Sequence, residues 1–172
     1  MKLSKTSALA LITTSLLSTH SLAATEIGGA VAIVQNQAIT LAETAELNFG
    51  TFLPFGRQGS VTLRATDSRI FASNAHIITT GSFAQWAVTG VPTAPFEVTL
   101  PSSTQIELQG VTNEADRRFM TVDAFTRSGS SNDIILDADG NASFNVGARV
   151  IVGANQPAGT YRGEYEVTVN YN

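Results

Sequence analysis

The C-terminal stretch from Ala158 to Asn172, AGTYRGEYEVTVNYN, alternates between two kinds of residue over most of its length. A period of two places successive side chains on opposite faces of a β-strand. One face is aromatic, β-branched or glycine, and the residues between its members are polar. That face consists of Tyr161, Gly163, Tyr165, Val167, Val169 and Tyr171. We therefore predict one strand from Tyr161 to Tyr171 that packs one face on a core and exposes the other.

Short runs with the same period recur upstream, and turn-forming residues such as Gly90 and Gly140 separate them about every ten residues. Three of the alternating sets are Val61, Leu63 and Ala65; Phe96, Val98 and Leu100; and Ala142, Phe144 and Val146. This pattern predicts an all-β, immunoglobulin-like antiparallel sandwich. The stretch from Thr66 to Thr80 fits no single period, so it is either a loop or a bent strand.

The first 23 residues have the features of a removable signal peptide. Lys2 and Lys5 precede an apolar run from Ala8 to Leu17, and small residues at Ser21 and Ala23 suit a cleavage site. Because these are the only two Lys, their removal takes the formal charge from −4 to −6. We predict an exported protein, in the periplasm during transit and then at the cell surface or outside the cell. The domain boundaries are 1–23 for the signal peptide, 24–36 for an N-terminal extension and 37–172 for the sandwich.

The composition excludes several kinds of chemistry. Without Lys the mature chain has no P-loop and no Schiff-base nucleophile, and without Cys it has no thiolate nucleophile or zinc ribbon. An acidic chain without Lys is also poorly suited to neutralising phosphates, so we expect no nucleic-acid partner. No apolar run approaches the roughly 20 residues that cross a bilayer, so we expect no membrane span.

Other candidate sites have simpler interpretations. His76 has no G-x-S-x-G serine to activate, and Glu164 and Glu166 read as neighbours on a solvated strand face. Asp137 and Asp139 lie in DADGN, which fits a hairpin turn better than a calcium loop. We predict no catalytic residue, no metal site and no cofactor.

The end of the chain resembles the terminal signature of pilin subunits assembled by the chaperone–usher route. Gly159 is fourteenth from the end, the residues after it alternate, and Tyr171 is penultimate. The resemblance implies an incomplete sandwich whose last strand borders a groove, which a chaperone strand fills first and the N-terminal strand of another subunit fills later. The corresponding donor face would be Ile27, Gly29, Val31 and Ile33, which precede the first strand at Ile39 and Leu41.

A broader resemblance covers almost all of the mature chain. LNFGTF from Leu47 to Phe52, VTG at Val88 to Gly90, DADG at Asp137 to Gly140 and the C-terminal stretch resemble domain-of-unknown-function family 4402. Its members are exported bacterial β-proteins without an established activity, regarded as pilin-like or spore-coat-protein-U-like. The disulfide that pilin subunits usually carry cannot form here, because the chain has no Cys.

Two functions remain open. The first is a non-enzymatic structural subunit of a surface fibre or coat, with copies of itself or related subunits, a periplasmic chaperone and an outer-membrane usher as partners. The second is a self-contained surface or periplasmic sandwich that binds a carbohydrate or a protein.

Overall fold

The computed structural model describes residues 37–67, 69–113, 118–129 and 134–172. Their regular structure is entirely β-strand, which confirms the predicted all-β class. The strands are β1 (Thr40–Ala45), β2 (Thr51–Pro54), β3 (Gly59–Leu63), β4 (Ile70–Ser73), β5 (Ala75–Thr79), β6 (Ala84–Thr89), β7 (Pro95–Thr99), β8 (Ser103–Leu108), β9 (Phe119–Arg127), β10 (Ile134–Ile135), β11 (Asn141–Val152), β12 (Tyr161–Arg162) and β13 (Thr168–Tyr171). The predicted signal peptide and N-terminal extension lie outside the described residues.

The strands form one large and two small antiparallel sheets. The large sheet has eight strands in the order β1-β6-β11-β9-β8-β12, with β3 also paired to β11 and β4 paired to β3. The three-stranded sheet has the order β10-β7-β13, and the two-stranded sheet pairs β2 with β5. This arrangement agrees with the predicted antiparallel sandwich.

Two apolar cores follow one another along β11, the longest strand. The first core consists of Val61, Ala75, Met120, Val122, Ala148, Val150 and Val152. The second core consists of Ala84, Val88, Phe96, Leu136, Phe144 and Val146. Phe144 and Val146 of β11 therefore pack in the second core, and Ala148, Val150 and Val152 farther along the same strand pack in the first core.

The ambiguous stretch between residues 66 and 80 contains a bent strand. Asn74 joins β4 to β5 and has a φ of 51°, a conformation that Asn tolerates better than most residues. Before Asn74 the chain pairs with β3 in the large sheet, and after it the chain pairs with β2. The period breaks because the strand changes sheets at this residue.

A turn is present at Asp139 and Gly140, but it does not form the predicted hairpin, because β10 pairs with β7 whereas β11 belongs to the large sheet. Gly140 has a φ of 80°, in the region that favours glycine. The Asp137 carboxylate accepts hydrogen bonds from the backbone N–H groups of Asp139 at 2.9 Å and Asn141 at 2.8 Å. Asp137 therefore stabilises the turn between β10 and β11.

The prediction of one continuous strand from Tyr161 to Tyr171 is wrong. β12 pairs with β8 in the large sheet, whereas β13 pairs with β7 in the three-stranded sheet. The chain crosses from one sheet to the other in residues 163–167, so its backbone cannot keep one strand partner throughout. The alternation of burial nevertheless continues across the break from Tyr165 to Tyr171, with the apolar residues part-buried and those between them exposed.

Candidate functional site

Among the strands of the second core, β1, β13 and the two-residue strand β10 each have an edge without a strand partner in the described part of the chain. β1 pairs only with β6, and β13 pairs only with β7. The outer edges of β1 and β13 are called the open edges below. An open edge presents backbone N–H and C=O groups that can pair with a further strand.

The apolar side chains near the open edges pack against the second core without being fully covered. Phe144 and Val146, on the central strand β11, are 2% and 0% exposed. The apolar side chains just before and within β1 and along the C-terminal segment are only partly buried, and these are Ile39, Leu41, Tyr165, Val167, Val169 and Tyr171. The rim of the second core can therefore bury more apolar surface if another strand covers it.

Tyr165 connects the C-terminal segment to three strands of the large sheet. Its hydroxyl accepts a hydrogen bond from Trp86 Nε1–H on β6, with 3.2 Å between the two atoms. The Trp86 and Tyr165 ring centroids are 6.1 Å apart and the rings are nearly perpendicular. Phe125 on β9 stacks on Tyr165 at 5.2 Å, and Glu43 on β1 shares a side-chain hydrogen bond with it. Tyr165 thus ties the C-terminal segment to β1, β6 and β9 of the large sheet.

This environment changes the acidity of both hydroxyl and carboxyl partners. Burial is the main cause that raises the pKa of Tyr165 to about 12, and the nearby Glu43 carboxylate raises it further while the Trp86 hydrogen bond opposes the rise. Burial also raises the pKa of Glu43, with a second contribution from the Glu46 charge, and the Tyr165 hydrogen bond acts in the opposite direction. Folding therefore moves the ionisation of both groups to higher pH than in the exposed side chains.

Tyr171 anchors the end of the chain on the turn that follows β6. Its hydroxyl accepts a hydrogen bond from the backbone N–H of Val91 at 2.8 Å. The hydroxyl lies directly against Gly90, where a Cβ would overlap it. The penultimate tyrosine of the predicted signature therefore has a structural contact that requires glycine at position 90.

The first part of the predicted groove strand lies elsewhere, beside β8. Gly159 has a φ of 153° and a Cβ there would overlap the Leu108 side chain, while Gly163 lies against the backbone of residues 105 and 106. The Tyr161 hydroxyl donates to the Pro157 carbonyl at 2.8 Å, and its ring packs on the first core. The structure therefore places Tyr165, Val167, Val169 and Tyr171 together at the second core and separates Gly159, Tyr161 and Gly163 from them. The donor residues Ile27, Gly29, Val31 and Ile33 lie outside the described residues.

Sequence reasoning missed Trp86, Phe125 and Glu43 as neighbours of Tyr165. Trp86 is the single Trp of the chain and lies in an alternating run, which is a signal for a packed strand but not for its partner.

The alternative chemical candidates remain apart: His76 is exposed on β5, and Glu164 and Glu166 are exposed on the outer face of the C-terminal segment. No cluster of three or more His, Cys, Asp or Glu suited to a metal ion occurs within the described ranges. Those ranges also contain no helix long and apolar enough to cross a membrane.

Comparison with known proteins identifies a family but no curated relative. The model of the family described as "Domain of unknown function (DUF4402)" matches residues 39–171, which include the thirteen strands found in the described residues. No curated protein matches the chain.

Proposed function

The chain belongs to the DUF4402 family, and we propose that it is a secreted, non-enzymatic structural subunit that assembles into a surface fibre or coat by exchanging strands between copies. In this proposal residues 24–36 of one copy pair along the open edges of another. The observation that carries it is the pair of open edges beside apolar side chains that are only partly buried. Before assembly a periplasmic chaperone would cover the same edges, and an outer-membrane usher would receive the subunit.

The donor assignment follows from the sequence pattern of the N-terminal extension. Ile27, Val31 and Ile33 share one face of an extended strand, and Gly29 on the same face leaves room for close approach to the acceptor. Full burial of a large aliphatic side chain contributes roughly 1.5–3 kcal/mol, so these three would contribute roughly 5–9 kcal/mol. This is comparable to the whole stability of a typical domain, about 5–15 kcal/mol. A bound donor strand would therefore change subunit stability by a measurable amount.

The test is complementation of a shortened chain by a peptide. We expect a variant without residues 24–36 to bind a synthetic peptide of those residues, which should raise the midpoint of urea unfolding. A peptide with Val31→Asp should bind far less, because a charge would enter the apolar rim. A shortened chain that ignores the peptide and assembles as the intact chain does would overturn the proposal.

Two neighbouring acceptor variants control for nonspecific effects. Val169 faces the second core, whereas Thr168 is exposed on the other face of β13. Val169→Asp should abolish peptide binding, and Thr168→Asp should retain it. Equal peptide binding by both variants would place the acceptor surface elsewhere.

The predicted alternative, a self-contained binding module, gives a different result in the same experiment. It predicts a monomer whose cooperative unfolding is unchanged by the deletion. Binding of that monomer to a glycan array would then favour the carbohydrate-binding function.

A further inference from the structure

A second surface of the molecule lies on the outer face of the β2–β5 sheet. Phe52 and Ile77, which pair across this sheet, pack against the first core on its inner face. On the outer face three large apolar side chains are mostly exposed: Leu53 at 54%, Phe55 at 61% and Ile78 at 53%. These three residues are called the hairpin face below.

The hairpin face is held in place by hydrogen bonds at its tip. Asn74, at the bend between β4 and β5, accepts a hydrogen bond at its carbonyl from the Phe55 N–H at 3.1 Å. Its side-chain amide donates to the Gln58 carbonyl at 3.0 Å. Arg57 lies between these two contacts and is exposed. The hydrogen bonds of Asn74 therefore support the loop that carries Arg57, next to the sheet that carries the three apolar side chains.

The charges of the described residues are unevenly distributed among the segments of the chain. Four segments that contribute to the second core, residues 37–46, 83–101, 134–146 and 164–172, contain no Arg, Lys or His and are called the acidic half. Their seven acidic residues are Glu43, Glu46, Glu97, Asp137, Asp139, Glu164 and Glu166. The other described segments contain seven Arg and three acids. Those Arg are Arg57, Arg64, Arg69, Arg118, Arg127, Arg149 and Arg162, and those acids are Asp67, Glu107 and Asp123.

We propose that the hairpin face is a contact between copies of this chain, in which Leu53, Phe55, Ile78 and Arg57 dock on the acidic half of a second copy. Charge complementarity selects this occupant, since one chain carries both an apolar face beside the exposed Arg57 and segments that hold seven acids and no cation. The contact is independent of residues 24–36 and so goes beyond strand exchange.

The size and symmetry of this contact define its properties. A stable interface usually buries about 800 Å² on each partner, more than three half-exposed side chains supply, so docking depends on charge as well as on apolar burial. The contact is therefore weak and sensitive to salt. The contact joins the hairpin face of one copy to the acidic half of another, so a pair of copies still has one free hairpin face and one free acidic half. Further copies can bind to these surfaces, and open chains can therefore grow.

Self-association of the full chain tests the proposal by analytical ultracentrifugation. We expect a salt-sensitive part of the association at low salt, and this part should be lost in about 1 M salt, where the Debye length is about 3 Å, whereas association through strand exchange should remain. Arg57→Glu and Phe55→Ser should each weaken it by at least about tenfold. Arg69→Glu makes the same change in net charge at the opposite end of β3, and it should leave association unchanged.

A mixing experiment identifies both surfaces. Glu97→Arg with Asp139→Arg should also prevent association, because it places cations on the acidic half. A mixture of this double variant with Arg57→Glu should associate, since each variant retains the surface that the other has lost. Three results would overturn the proposal. They are a wild-type chain that stays monomeric at low salt, a mixture of the two variants that does not associate, and equal association by all variants.

The deletion of residues 24–36 separates this contact from strand exchange. Salt-sensitive association that persists in the deletion variant supports the hairpin contact alone. Association that is lost on deletion and indifferent to Arg57→Glu would overturn the hairpin contact and leave strand exchange standing.

Discussion

An alkaline titration of Tyr165 tests the geometry at the centre of the second core. The three Tyr of the chain are Tyr161, Tyr165 and Tyr171, the single Trp is Trp86, and there is no Cys. Both Lys precede residue 6, so a chain without residues 1–23 has Tyr as the side chain that titrates between about pH 9 and 12. Trp86 donates its indole N–H to Tyr165 and its fluorescence reports on that ring.

The size of the effect follows from the shift in pKa. The folded-state pKa of Tyr165 is raised from 10.0 to about 12, mainly by burial. Folding therefore favours the neutral phenol, and this contribution is fully present below pH 10 and lost as the pH rises toward 12. Two pKa units correspond to about 2.7 kcal/mol. Because solvent reaches part of the ring, we expect about half of that value.

The assay is urea unfolding followed by Trp86 fluorescence at several pH values between 9 and about 11.5. The free energy of unfolding of the wild type should fall by about 1 kcal/mol across this range, and Tyr165→Phe should remove most of the fall. Tyr161→Phe is the matched control, because it removes a phenol from the same segment but leaves the Trp86 contact intact. An equal fall in wild type and Tyr165→Phe would refute the assignment of this alkaline effect to Tyr165.

Three further predictions concern neighbouring contacts. Burial and the nearby Glu46 charge raise the pKa of Glu43 above 4.5, so its ionisation lowers the stability of the fold as the pH rises. In urea unfolding, Glu43→Gln should therefore become more stable than wild type as the pH rises above 4.5. The Arg149 guanidinium binds both oxygens of Asp123 at 2.8 Å and lowers the pKa of that carboxyl below 3.8. Arg149→Gln should therefore lower the urea midpoint at neutral pH, with a difference that narrows as the pH falls below 3.8. Gly90→Ala places a methyl group against the Tyr171 hydroxyl and should lower the free energy of unfolding by about 1–3 kcal/mol.

The strand faces could be predicted from the sequence because their period depends on local geometry. Val61, Leu63 and Ala65 are buried, and Phe144 and Val146 occupy the second core. The break after β12 could not be predicted in this way. Periodicity indicates which face of a strand a side chain occupies. It does not indicate that the backbone pairs first with β8 and then with β7, because those partner strands lie far away in the sequence.

The candidate site shows the same division between local and distant information. The alternation of Tyr165 and Val167 identifies the residues that pack inward, and both lie on the second core. Trp86 is 79 positions before Tyr165, so no short sequence pattern connects the two. The separation of charge was also hidden, because a total of −4 does not say where the acids and the Arg lie after folding.

The two proposed contacts depend on different forces, and salt distinguishes them within one assembly. Pairing along an open edge relies on backbone hydrogen bonds and apolar burial, which salt does not screen. Docking of the hairpin face relies on Arg57 and the acidic half, whose attraction falls as the Debye length shortens. The open edges belong to the second core, whereas Phe52 and Ile77 of the β2–β5 sheet pack on the first. Assemblies held by both contacts should therefore lose only part of their mass at high salt, and the remainder should depend on Val169.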